Sequence, residues 1–248
     1  MHNDFFEMRV HSWLADIGLY VRRARNVPCG ISRRPYEDVV PKDQPPLILD
    51  IGANVGQTAR AFEHSFPGAT IHAFEPISRI HSVCQHNLRK FPNIRSHCLA
   101  VGDKCEKRVI ELVTEDNYCT SNQITRQAGD ATPATLREEI QITTLDTFLR
   151  EQSIATVHIL KTDTEGNELA VFAGAKESFA RGAVRSILVE ATLQEGNAFH
   201  VPLEAIKNSL APHGFRFFGL YDFVYTPEGE LHFFSALFKL SPQFRSAK

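Results

Sequence analysis

Paired cysteines are missing from this sequence. The five that occur, at positions 29, 84, 98, 105 and 119, are odd in number and none is spaced C-x-x-C, so neither a disulfide framework nor a redox dithiol is expected. No Cys and His cluster has the spacing of a zinc site. Long apolar runs are missing too, and none reaches the length of a membrane span. The opening Met1-His2-Asn3-Asp4 lacks the basic-then-apolar layout of a secretory leader, so a cytoplasmic protein with reduced thiols is expected. Excess charge of either sign is absent: 27 Lys and Arg face 29 Asp and Glu, a formal net charge of −2. That balance offers a polyanion nothing, and nucleic acid is not expected as a partner. What is left is globular in character, with 43% hydrophobic and 23% charged residues among 248, enough for one large domain with a short extension.

Residues 1–46 read as that extension. Phe6, Val10, Trp13, Leu14, Ile17 and Tyr20-Val21 recur at helical spacing, and Arg22, Arg23 and Arg25 suit a helix's negative end. Pro28, Gly30, Pro35, Pro41, Pro45 and Pro46 then imply an irregular linker over 26–46. From Leu47 to 248 short apolar runs alternate with amphipathic stretches. Strands are expected at 47–51, 69–74 and 94–101, with helices at 58–65 and 78–90 between them. After a β and loop excursion over 104–143, with strand-like runs at 108–114 and 139–143, a helix is expected at 145–151. A strand at 157–162, a helix at 168–179, a strand at 186–190 and a helix at 202–210 follow. Runs at 215–218 and 232–240 read as a closing hairpin around Pro227-Glu228-Gly229. This rhythm predicts a Rossmann-like α/β domain, a mostly parallel sheet with helices on both faces.

Asp50-Ile51-Gly52-Ala53-Asn54-Val55-Gly56 follows the first strand and opens a helix. Glycines here allow a sharp turn and a close ligand, and the helix start offers free N–H groups. A dinucleotide fingerprint, G-x-G-x-x-G, would place its second glycine at Asn54. Asp50 would also repel a pyrophosphate, yet it suits an amino-acid ammonium. S-adenosylmethionine has an ammonium and no phosphate, so it is the expected cofactor in preference to NAD. Glu75, in Ala73-Phe74-Glu75-Pro76, ends the second strand where a carboxylate takes ribose hydroxyls. Asp103, after the third strand, is a candidate acceptor for the adenine amino group. Together Asp50, Gly52, Asn54, Gly56, Glu75 and Asp103 describe one groove at the carboxyl edge of the sheet.

With these pieces in order, the sequence resembles the FkbM-type methyltransferase family. The resemblance rests on Asp50–Gly56, Ala73–Pro76 with Asn87-Leu88, and Thr144-Leu145-Asp146. It continues through Leu160-Lys161-Thr162-Asp163-Thr164-Glu165-Gly166-Asn167-Glu168, Gly174-Ala175 and Ile187-Leu188-Val189-Glu190. It covers roughly residues 47–220, and family members often carry Val or Ile where this chain has Thr162 or Thr164. It implies the seven-stranded class I methyltransferase sheet, S-adenosylmethionine as cofactor, and methylation of hydroxyls on sugars and other natural products. Ser121 falls near a serine common in the family and receives no role.

Methyl transfer to an alcohol needs in-line placement and a group to take the proton, or a metal. Asp163, after the fourth strand, is the first candidate for base or acceptor-orienting group. Glu165 would support it, bind a cation, or cap the next helix. Glu190 ends the fifth strand at the same edge, and with Asp163 it offers two oxygen ligands to magnesium. His200 is either a base, a substrate contact or an exposed loop residue. Lys161 is expected to pair with a carboxylate or reach the rim rather than act in catalysis. A small hydroxylated molecule is therefore the expected partner, and no oligomeric state follows from the pattern. Nitrogen or carboxyl methylation, nicotinamide-dependent oxidoreduction, and cofactor binding without turnover are the competing readings.

Overall fold

The structure, a computed structural model, describes residues 29–113 and 135–245. The expected helix over 5–21 and the polar stretch around Tyr118–Asn122 lie outside the described residues.

Period-two burial sets the frame. In Leu47–Ile51 (β1), Ile48 faces one core while Leu49 and Ile51 face the other. In Thr70–Phe74 (β2), Ile71 and Ala73 face the first and Phe74 the second. Successive strand side chains point to opposite faces, so both faces of this sheet are covered. Helices Gln57–Ser65 (α1) and Ser78–Leu88 (α2) provide the crossovers from β1 to β2 and from β2 to Ile94–His97 (β3). The second half supplies Leu145–Glu151 (α3), Ile159–Thr162 (β7), Glu168–Ala173 (α4), Lys176–Ala180 (α5), Ser186–Ala191 (β8) and Leu203–Leu210 (α6). Phe215–Tyr225 (β9), Leu231–Leu240 (β10) and Pro242–Arg245 (α7) close it.

The seven strands lie in the order β3-β2-β1-β7-β8-β10-β9. All pairs are parallel except those of β10, which runs antiparallel to both β8 and β9. The chain leaves β1 toward β2 and later returns on its other side with β7. Ligands gather at such a switch point, outside the carboxyl ends of the strands. A second sheet of Ala100–Val101 (β4), Glu106–Val113 (β5) and Thr135–Thr143 (β6), in the order β4-β6-β5, stands beside it. Its side chains Ile110, Ile140 and Ile142 form a small core with Ile77 and Ile80.

Three expectations need correction. The run 94–101 is two strands, because the chain leaves the main sheet after His97 and enters the small one at Ala100. The helix expected over 168–179 breaks at Gly174, where a Cβ would lie 2.0 Å from the carbonyl oxygen of Gly102. The late strand expected at 215–218 extends to Tyr225. Residues 29–46 are irregular apart from a short 3₁₀ turn at Arg34–Tyr36, yet they are packed rather than loose. Tyr36, Val39 and Val40 are buried with Phe62 and Phe66; the Tyr36 hydroxyl donates to the Gly30 carbonyl, and Gly30 N donates to Asp222 Oδ2 at 2.9 Å. Among the described residues no helix is long and apolar enough to cross a membrane, and Cys29, Cys84, Cys98 and Cys105 are free.

Candidate active site

A cavity of about 450 Å³ opens at the carboxyl ends of β1, β2, β7 and β8, a size usual for small-molecule sites. Its base is the turn after β1. Gly52 has φ of +78°, and a Cβ on it would lie 1.7 Å from the Asp163 carbonyl oxygen. Only glycine permits both. Gly52 N and Ala53 N donate to the Phe74 carbonyl at 3.0 and 2.8 Å, fixing the turn to the end of β2. Asn54 follows in the left-handed region with φ of +49°, which Asn tolerates better than most residues. Its backbone N–H therefore faces β2 and donates to Glu75 Oε2 at 3.1 Å.

Glu75 is buried and lines the cavity. Its other oxygen accepts from Ile77 N at 2.9 Å. Burial pushes its pKa up to about 7, with the two backbone N–H groups opposing the shift. Next to it runs an apolar wall of Ile77, Ile80, Leu99, Val101 and Ile110. Such a wall suits a flat heterocycle, and the carboxylate beside it suits a diol.

The other end of the cavity is acidic. Lys161, pointing up from β7, is buried, and its Nζ lies 3.0 Å from Asp163 Oδ2 and 3.3 Å from Asp50 Oδ1. It also donates to the Gly52 carbonyl at 3.3 Å. Burial alone would lower the lysine pKa, but Asp163, Asp50 and Glu190 outweigh it and hold the ammonium charged. Asp50 is fully buried, and desolvation raises its pKa although Lys161 opposes. Glu190 lies within hydrogen-bond reach of Asp163. Burial and then the Asp163 charge push its pKa up to about 9, against Lys161. Glu165, at φ of +53°, is raised to about 8 by burial, Asp163 and Glu168. His200 Nδ1 stands 3.5 Å from Glu190 Oε2.

The structure brings Gly52, Asn54, Glu75, Asp163, Glu165 and Glu190 to one cavity surface. Three expected residues are elsewhere. Asp50 lies beneath the surface with Lys161 rather than at it. Gly56 starts α1 with φ of +87° and packs against Leu88 and Cys84. Asp103 is exposed beyond β4 and does not line the cavity; the split of the third strand turned it away. Glu165 makes no capping bond to α4, whose N-cap residue Asn167 also lacks one; Glu168 Oε1 instead accepts from Thr164 N and Oγ1 at 2.8 and 2.9 Å, which ties the preceding loop to the helix. Asp163, the first residue of the carboxylate pair considered for magnesium, already faces the Lys161 ammonium at 3.0 Å. Among the described residues no group of three or more His, Cys, Asp or Glu is placed to hold a metal.

Sequence reasoning missed Phe199, His232 and Phe233, which line the cavity beside His200. They come from the loop after β8 and from β10, and only the antiparallel insertion of β10 next to β8 brings them together.

The strand order and the cavity at its switch point define a Rossmann-like methyltransferase, the class that uses S-adenosylmethionine. Within that class the chain belongs to the FkbM methyltransferase family: the description of the Methyltransferase FkbM domain matches residues 50–217, more than half of the sequence. The chain is 28% identical over 181 residues to the 2-O-methyltransferase NoeI of Sinorhizobium fredii, covering 66% of this chain and 71% of that protein. It is 26% identical over 178 residues to methyltransferase sdnD of Sordaria araneosa, covering 58% and 66%. The crystal structure of methyltransferase FkbM from Methylobacillus flagellatus KT superposes with a TM-score of 0.54 at 15% identity, over 87% of this chain. This chain spans about half of that one, 49%.

Proposed function

We propose that the protein transfers the methyl group of S-adenosylmethionine to a hydroxyl of a sugar or another small hydroxylated natural product. The carrying observation is that one continuous cavity joins Glu75 and its apolar wall to Asp163, Glu165, Glu190 and His200. The similarity to a 2-O-methyltransferase supports a hydroxyl acceptor.

The residues present fit the cofactor. Glu75 is held by two backbone donors with its outer lone pairs toward the cavity, suited to ribose hydroxyls. Ile77, Ile80, Leu99 and Val101 would enclose the adenine. Gly52, with no Cβ to meet the Asp163 carbonyl, lets the turn close against that loop while its backbone lines the cavity. When bound, the cofactor supplies a methyl carbon activated by positive sulfur.

The protein then has to orient and desolvate the acceptor. Asp163, anchored by Lys161, accepts a hydrogen bond from a neighbouring hydroxyl of the acceptor and so aims the reacting oxygen. Glu165 and Glu190, which hold protons at neutral pH, donate to other acceptor oxygens or to Asp163. These roles require no divalent cation. The test is transfer of labelled methyl from S-adenosylmethionine to a panel of methyl pyranosides, with amines and carboxylic acids as competitors. Product ether linkages support the proposal. Label appearing only in amines or esters, or in nothing despite cofactor binding, overturns it.

A further inference from the structure

We propose that His200 is the base that removes the proton from the acceptor hydroxyl, positioned by Glu190. The inference rests on the O-methyltransferase reading above and assigns the step left open there.

The geometry is that of a held imidazole. His200 is buried yet lines the cavity. Its loop is fixed at both ends: Asn197 Oδ1 accepts from Phe199 N and His200 N, each at 2.9 Å, and Thr192 N donates to the Val201 carbonyl at 3.1 Å. The ring lies against Phe233 with centroids 4.3 Å apart, and meets His232 edge-on at 5.6 Å. Rotation is therefore restricted. Nδ1 faces Glu190 Oε2 at 3.5 Å, a loose contact of the sort that tightens when a site fills. Nε2 has no hydrogen-bond partner among the described residues.

The polarity of the neighbouring groups sets the tautomer. Lys161 donates to Asp163. Asp163 can then accept the proton that Glu190 holds, and the remaining lone pairs of Glu190 accept from His200 Nδ1–H. A chain from ammonium to imidazole results, leaving a bare lone pair on Nε2. The charged and titratable groups facing His200 are Glu190 on β8, Asp163 and Glu165 from the loop after β7, Lys161 behind them, and His232 on β10. Burial is the main reason its pKa lies below the ordinary value; Asp163 opposes the shift and His232 adds to it. The imidazole is thus neutral at neutral pH, as a base must be. In the reaction the acceptor O–H bond breaks with its proton passing to Nε2. The oxygen forms the new bond to the methyl carbon as the carbon–sulfur bond breaks, its electrons staying on sulfur. The imidazolium later returns its proton to water.

The experiment uses the full chain with methyl pyranosides as acceptors and saturating S-adenosylmethionine. For His200→Gln, S-adenosylhomocysteine binding by calorimetry should stay within twofold of wild type while kcat falls about 10²–10⁴-fold. Wild-type kcat should fall tenfold per pH unit below the histidine pKa, and that limb should vanish in the variant. Added imidazole should restore turnover to His200→Gly in proportion to its neutral form. Nitrogen-15 NMR of the wild type should show the Nδ1–H tautomer at His200. An unchanged kcat and acid limb in His200→Gln, or an Nε2–H tautomer, overturns the base assignment alone. A wild type that methylates none of the pyranosides removes the hydroxyl reading first, and the base assignment with it.

Discussion

Gly52 and Asp163 meet backbone to backbone beneath the cavity, so that a methyl group on Gly52 would stand 1.7 Å from the Asp163 carbonyl oxygen. The cofactor-binding turn and the acidic loop are thereby set against each other. Gly52→Ala must push them apart and also strain a φ of +78°, a cost of about 1–3 kcal/mol for the backbone alone. Calorimetry should find S-adenosylhomocysteine bound at least tenfold more weakly. Unchanged affinity would mean that the two loops are not so joined.

Glu75 links pH to cofactor binding. Its pKa of about 7 lies above that of a free glutamate, so the proton is held as pH falls through neutrality and the ionised acceptor is lost. Affinity for S-adenosylhomocysteine should therefore decline below about pH 7, approaching tenfold per unit. Glu75→Gln should bind more weakly at pH 8 and show a flat profile. A wild-type affinity constant from pH 8 to pH 5.5 would contradict this.

Lys161 neutralises a carboxylate that no water reaches. Lys161→Met leaves Asp50 buried without a countercharge, a change that costs about 3–5 kcal/mol where one partner of a buried pair is removed. The orphaned Asp50 would keep its proton in the folded state, so its raised pKa makes the deficit grow as pH rises. Denaturation with urea should show this, and adding Asp50→Asn should recover most of the loss.

His72 and His97 stack with centroids 5.1 Å apart, and their Nδ1 and Nε2 atoms lie 2.9 Å apart behind Phe148. Burial lowers the His72 pKa to about 4, and His97 is lowered as well. A histidine depressed in the folded state stabilises it above the unfolded pKa near 6.5, and the contribution is lost as pH falls from there toward 4. His72 alone is worth on the order of 3 kcal/mol over that range. Thermal melts should drop steeply between pH 6.5 and 4.5, and His72→Phe should flatten much of that drop.

Because the Lys161 ammonium already holds Asp163 Oδ2 at 3.0 Å, a chelator should leave methyl transfer unchanged. Loss of turnover after EDTA dialysis, restored by magnesium, would return the carboxylates to the role of metal ligands.

The local half of the fold was readable from the sequence. β1, α1 and β2 are set by neighbours in the chain, and the Gly52 turn declares itself in four residues. Junctions were not. Ile94–Val101 has no glycine or proline to break it, so nothing local shows that Cys98 and Leu99 carry it from one sheet to another, and Asp103 was misplaced as a result. Gly174 weakens its helical run locally, but that the helix stops there depends on the Gly102 carbonyl beside it. β9 hid beyond Phe218 because Gly219 and the left-handed Asp222, with φ of +51°, interrupt its alternation. The acidic residues at strand tips were found from strand ends alone. Phe199, His232 and Phe233 depend on contacts between distant segments, and their spacing carries no sign of them.

β10 is the last strand among the described residues, yet it is an interior one. A nascent polypeptide released as far as Tyr225 has β8 waiting with an open edge and β9 with nothing to join. Assembly of that half of the sheet has to await synthesis of Leu231–Leu240. A stop codon before Leu231 would thus remove a middle plank, uncoupling β9 and leaving the acceptor side of the cavity without His232 and Phe233.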